Sequence, residues 1–116
     1  MSEDRTTYDA GAVAPATLTA FKRRPCVLPF SHPDYRPPSP DEVDALIKLM
    51  GWSQNDTAKL VGVTYNPKKG SSTIRKWRSA TTSSDFREIP YSAWRLLLLY
   101  AGVVSVAHGL AAIDNE

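Results

Sequence analysis

Residues 51–79 of the chain read GWSQNDTAKLVGVTYNPKKGSSTIRKWRS, and this stretch decides the fold. It contains two short segments of helical character, separated by the turn-forming residues 64–70. Ser53 can cap the first helix, and Ile74 and Trp77, three residues apart, fall on one face of the second. The sequence therefore predicts two short helices that pack on each other through a small apolar contact.

The outer face of the second helix is basic. Because Ile74 and Trp77 point inward, Arg75, Lys76 and Arg78 face outward. No Asp or Glu interrupts the basic residues of this stretch, which are Lys59, Lys68, Lys69, Arg75, Lys76 and Arg78. In a helix-turn-helix the free face of the second helix enters the major groove, where Arg and Lys reach guanine or phosphate. A solvated basic face is the alternative on charge alone.

Four runs of the sequence carry resemblances to known regulators. The runs SQ at 53–54, AKLVGV at 58–63 and STIRKW at 72–77 resemble the Cro/phage-repressor (XRE-type) helix-turn-helix. The run REIPYSAW at 87–94 is similar to the segment after the recognition helix in small regulators of phages and conjugative elements. Some of those regulators are anti-CRISPR-associated repressors. The resemblance covers residues 38–102.

The resemblance implies roles for individual residues. In that family the glutamine that begins the first helix contacts the DNA backbone, here Gln54. Outward residues of the second helix read bases, here Ser72, Thr73, Arg75 and Lys76. The family usually binds an inverted-repeat operator as a homodimer and often represses its own operon.

The connection between the two helices departs from that family. The family uses a tight turn, whereas this chain has the insertion YNPKKG at 65–70. If the helices still pack, Lys68 and Lys69 lie near the phosphate backbone. The alternatives are a shifted recognition helix, and two lysines in a solvated loop.

Two further helices flank this pair. Ser39, Pro40 and Glu42 form a helix start with a capping box, and Gly51 is placed to end that helix. Its predicted core stripe is Val43, Leu46, Ile47 and Met50. A helix over 89–102 is apolar nearly all round, which places it at the centre of the domain or under a partner chain. A weaker helix follows over 103–113.

The N-terminal third differs in composition. Residues 1–20 show no steady period and are predicted to be a mobile tail. The run KRR at 22–24 is a disordered basic tail or an arm that reaches the minor groove. Residues 26–30 are apolar but interrupted by a proline, and the proline-rich residues 32–38 must be extended or turn-like. This arm is expected to lie along the domain, where its apolar side chains could cover part of the core. We therefore divide the chain into a flexible tail and arm, 1–38, and a helix-turn-helix domain, 39–113.

Several functional classes are disfavoured by composition. Cys26 is the single cysteine, and His32 and His108 have no partners at metal spacing, so neither a disulfide nor a metal site is expected. Residues 57–84 contain no Asp or Glu for a nuclease, and no nucleophile motif or phosphate loop is present. The apolar stretch 94–107 is too broken to span a membrane. We expect a cytoplasmic protein that is not an enzyme and needs no cofactor or small-molecule ligand.

These features converge on an all-α, compact four- to five-helix domain with a helix-turn-helix, preceded by an extended Pro-rich arm. The predicted function is that of a transcriptional regulator that binds double-stranded DNA in a sequence-specific way. It is expected to be a homodimeric (auto)repressor from a phage or mobile element. Its recognition helix spans residues 72–79. The predicted DNA contacts are Gln54, Lys68, Lys69, Ser72, Thr73, Arg75, Lys76 and Arg78. The alternative is a protein-interaction or adaptor module, for example an anti-defence protein, that acts through the apolar helix 89–102.

Overall fold

A computed structural model describes residues 14–114 of the chain. Within this range the chain forms six α-helices and no β-strand, which confirms the predicted all-α class. The helices are α1 (Leu18–Phe21), α2 (Pro40–Met50), α3 (Gln54–Val61), α4 (Ser72–Trp77), α5 (Tyr91–Ala101) and α6 (Val106–Asp114). A 3-10 helix, Pro25–Val27, lies between α1 and α2.

Local hydrogen bonds explain where α2 and α3 begin. At α2 the Ser39 hydroxyl accepts from the Glu42 backbone N–H at 3.1 Å, and the Glu42 carboxylate accepts from the Ser39 N–H at 2.9 Å. Ser53 and Asp56 form the same reciprocal pair at α3. Both predicted starts are confirmed. Each helix ends at a glycine in the left-handed conformation, namely Gly51 and Gly62.

Helix α5 occupies the centre of the domain. Its side chains Trp94, Leu97 and Leu98 are fully buried. It packs against α2 and α3, and α3 in turn packs against α4. The other helices contribute Val43, Leu46, Ile47, Ala58, Ile74 and Trp77 to the same core. The central position therefore explains most of the apolar composition of α5, whereas Leu96 and Tyr100 on the same helix are exposed.

The segment before α2 adds to this core. Phe21 is fully buried, and its ring centroid lies 6.3 Å from that of Trp94. The Trp94 indole N–H donates to the Cys26 carbonyl at 2.9 Å, and Arg95 donates to the Val27 carbonyl at 2.9 Å. These contacts join α1 and the 3-10 helix to α5. Of the predicted mobile tail, residues 1–13 lie outside the described range, and its last residues belong to α1.

The arm between the 3-10 helix and α2 is irregular, as the prolines predict. It contains no helix between Leu28 and Pro38. Phe30 and Tyr35 pack with Tyr91 at the start of α5, with ring centroids 5.2 to 5.7 Å apart. The Phe30 backbone N–H also donates to the Tyr91 hydroxyl at 3.2 Å. The arm is therefore held along the domain at the first turn of α5.

Candidate nucleic-acid interface

Helices α3 and α4 pack together as one unit, and Ser71, the N-cap of α4, makes the hydrogen bonds that join them. The Ser71 backbone N–H donates to the Gln54 side-chain oxygen at 3.0 Å, which ties the start of α4 to the start of α3. The Ser71 hydroxyl donates to the Thr64 carbonyl at 2.8 Å and accepts from the Ile74 N–H at 3.3 Å. Ala58 is fully buried in the core between the helices, so the short α4 is held at its start and along its inner face.

The insertion at 65–70 is a closed turn. Asn66 and Gly70 exchange two backbone hydrogen bonds of 2.8 and 2.9 Å. The Asn66 side-chain oxygen accepts from the backbone N–H groups of Lys68 and Lys69, both at 2.9 Å. The Asn55 side-chain amide donates to the Asn66 carbonyl at 3.1 Å, which docks the turn on α3. The longer connection therefore leaves α3 and α4 packed.

A polar groove runs along the outside of this unit. Its volume is about 470 Å³, and Gln54, Lys69, Ser72 and Arg75 are among the residues that line it. Lys68 lines an adjoining depression together with Gln54 and Lys69. The structure thus brings five of the eight sequence-predicted contact residues to one continuous surface.

Of the three remaining predicted residues, Thr73 and Lys76 lie on α4, and Arg78 directly follows it. Thr73 and Lys76 are half-buried, whereas Arg75 is exposed. The Arg75 guanidinium lies 3.7 Å from the Asp85 carboxylate, and more than half of each side chain is exposed. Exposed ion pairs of this kind contribute little, about 0–1 kcal/mol. Arg75 can therefore leave Asp85 for a stronger anionic partner at small cost.

Arg78 forms an ion pair that is far less exposed than that of Arg75. Its Nε donates to the Asp44 carboxylate at 2.7 Å, and only 21% of its side chain is exposed. Lys48 contacts the same carboxylate at 2.8 Å. Burial would raise the pKa of Asp44, but the hydrogen bonds from Lys48 and Arg78 outweigh it and lower that pKa. Arg78 thus ties the end of α4 to α2.

Three residues that support this surface were not predicted as site residues. Asn55, Asn66 and Ser71 make no predicted DNA contact, yet their hydrogen bonds position the turn and the start of α4. Asn66-Pro67 carried a turn signal in the sequence, and Ser71 a capping signal. No local signal pointed to Asn55, because its partner lies 11 residues away.

Three features of the residues that the structure describes bear on other kinds of function: the metal-ligating side chains, the reactivity of the cysteine and the length of the apolar helices. The described residues contain no cluster of three or more His, Cys, Asp or Glu that could hold a metal ion. Cys26 is buried, its thiol donates to Glu42 at 3.6 Å, and burial raises its pKa. No helix in residues 14–114 has the length and apolarity needed to cross a bilayer.

Comparison with known proteins identifies a relative. No family model matches the chain. The transcriptional repressor protein KorC of Escherichia coli is 37% identical over 87 residues, which cover 75% of this chain and 91% of KorC. A match of this length must include other parts of the domain besides α3 and α4.

Proposed function

The chain belongs to the family of the transcriptional repressor KorC, and from this premise we propose that it represses transcription as a sequence-specific, homodimeric DNA-binding protein. Its α3–α4 unit acts as a helix-turn-helix of the XRE type, with α4 in the major groove of an inverted-repeat operator. The operator lies upstream of its own operon, which belongs to a phage or other mobile element.

One observation carries this proposal: α4 is fixed to α3 at its buried face while its basic residues remain at the surface. The Ser71 contacts to Gln54 and Thr64 anchor the start of α4. A recognition helix needs such anchoring, because base readout depends on placing side chains within hydrogen-bond distance of base edges.

The proposed contacts fall into two groups. Ser72, Thr73, Arg75 and Lys76 face base edges, since they lie on α4 outside its buried positions. Phosphate contacts come from the docked turn and the start of α3, through Lys68, Lys69 and Gln54. The Gln54 oxygen is used by Ser71, which leaves its amide N–H groups to donate to a phosphate.

Arg78 receives a separate role in this proposal. Because its guanidinium binds Asp44 on α2, it holds the end of α4 in position, and its effect on DNA affinity is indirect. The alternative of a protein-interaction module acting through the apolar helix 89–102 is not favoured. The large apolar residues Trp94, Leu97 and Leu98 of α5 are in the core and unavailable to a partner, and among its large apolar side chains Leu96 and Tyr100 alone are exposed.

Replacement of Arg75 by alanine tests base readout. The protein would be titrated with the intergenic DNA upstream of its own gene and with scrambled DNA of equal length, at two salt concentrations. We expect Arg75→Ala to weaken binding to the upstream DNA by about 1–3 kcal/mol and to relax specificity at one base pair. Arg36→Ala removes an exposed charge on the arm, and it is the matched control. Unchanged operator affinity in Arg75→Ala would remove this residue from readout.

Replacement of Lys69 by alanine tests the phosphate role of the docked turn. We expect binding to both probes to weaken by a similar factor. The slope of the logarithm of the binding constant against the logarithm of salt concentration should become smaller in magnitude by about one, because one phosphate contact and its released counterion are lost. The measurement is affinity over a salt series, with Arg36→Ala again as the control. A slope equal to that of the unmodified protein would contradict a phosphate contact.

A further inference from the structure

Helix α6 presents its large apolar side chains to solvent. Val106, Leu110 and Ile113 are 66%, 58% and 67% exposed. They recur at i, i+4 and i+7, which places them on one face as a continuous stripe. The half-buried positions are the small residues Gly109 and Ala112. A surface helix normally directs its apolar stripe inward, so an outward stripe indicates a binding surface.

Contacts on the other side of α6 hold this orientation. The Arg95 guanidinium Nη2 lies 2.8 Å from His108 Nδ1. The His108 backbone N–H donates to the Ser105 hydroxyl at 3.0 Å, just before the helix. The Arg95 contact connects the polar side of α6 to α5, and the Ser105 hydrogen bond fixes the first turn of α6, so the apolar stripe is left facing outward.

The charge distribution on α6 fits a second copy of the same helix. Among Val106–Asp114 the only Asp, Glu, Lys or Arg is Asp114 at the end. In an antiparallel pair related by a two-fold axis at Leu110, Asp114 of each copy lies beside Val106 of the other. A carboxylate is favourable there, because it faces the positive end of a helix dipole. The exposed Ala107 and Ala111 allow the two backbones to approach.

We propose that α6 is the surface through which two copies of this chain associate, antiparallel, with Leu110 at the two-fold axis. This inference rests on the proposed function, because an inverted-repeat operator places two copies side by side. A nine-residue helix is about 14 Å long, and one face of it is smaller than the roughly 800 Å² per partner of a standard interface. Two copies therefore associate weakly in free solution. On DNA, where both copies are bound to adjacent half-sites, the contact between their α6 helices becomes intramolecular and the dimer forms.

The test is cooperative binding by the full chain carrying Leu110→Asp, which places two carboxylates at the axis. The probes are the upstream DNA with both half-sites and a shortened probe with one. We expect the variant to bind one half-site as the unmodified protein does, and to lose about tenfold or more in affinity for the paired site. Leu49→Asp, an exposed leucine on α2, is the matched control and should keep cooperativity. Far-UV circular dichroism verifies that both variants fold.

A second measurement separates failure of this inference from failure of the proposed function. Sedimentation at high protein concentration without DNA should show association in the unmodified protein and a monomer in Leu110→Asp. Equal cooperativity and equal sedimentation in the two proteins would overturn the α6 interface, while specific half-site binding would preserve the repressor proposal. Absence of any preference for the upstream DNA would contradict the proposed function, and sedimentation alone would then decide the role of α6.

Discussion

Replacing Trp94 by alanine is expected to lower the free energy of unfolding by about 3–5 kcal/mol. The indole is fully buried and packs against Phe21. Its N–H also donates to the Cys26 carbonyl, so truncation leaves both a cavity and an unpaired backbone acceptor. Small domains are stable by about 5–15 kcal/mol, so this single change removes a large share of the total. Urea denaturation followed by far-UV circular dichroism measures the loss.

Two other substitutions separate the causes of that loss. Trp94→Phe keeps most of the ring volume but removes the donor to Cys26, and we expect a loss of about 1–3 kcal/mol. Trp52→Ala removes a half-buried indole at the edge of the core, and its cost should be smaller than that of Trp94→Ala. If Trp94→Ala were no more destabilising than Trp52→Ala, the N-terminal segment and α5 would not share one core.

Replacing Gly70 by alanine is expected to reduce both stability and operator binding. Gly70 has φ +88°, and an added Cβ would collide with the Gln54 side-chain oxygen that accepts from Ser71. Left-handed strain costs about 1–2 kcal/mol, and loss of the Gln54–Ser71 hydrogen bond adds about 1 kcal/mol. Because that hydrogen bond anchors the start of α4, operator affinity should fall even where the variant is fully folded. Denaturation and DNA titration below the unfolding transition measure the two effects.

Gly62 provides the matched control for this prediction. It also has a positive φ, +79°, but an added Cβ would meet nothing within 4 Å. Gly62→Ala should therefore show the backbone strain alone and keep its operator affinity. Equal effects of the two substitutions on DNA binding would mean that the Gln54–Ser71 contact does not position α4.

The starts and ends of the helices were predictable because their determinants are local. Ser39 and Ser53 each pair with an acidic residue three positions later, a distance within one helical turn. The glycines that end α2 and α3 act through their own backbone conformation. The inward direction of Ile74 and Trp77 also followed from their spacing, since helical periodicity places them on one face.

Other features depend on segments that are distant in the sequence. The sequence analysis expected Arg78 to face outward, but Arg78 lies four residues after the buried Ile74, on nearly the same side of the helix. It binds Asp44, which lies 34 residues earlier. The predicted contact residue Gln54 proved also to be a structural link, because the chain returns to it 17 residues later at Ser71. A local pattern could predict neither pairing, because each requires two helices to be already packed.

The sequence by itself determined the helical class, the limits of α2 and α3, and the basic character of α4, since these properties arise within a few turns of chain. The tertiary structure alone decided which basic residues remain at the surface, how the turn at 65–70 docks through Asn55, and which way α6 faces. Periodicity shows that a helix has an apolar stripe, but only packing against the remaining elements determines whether that stripe is covered or exposed.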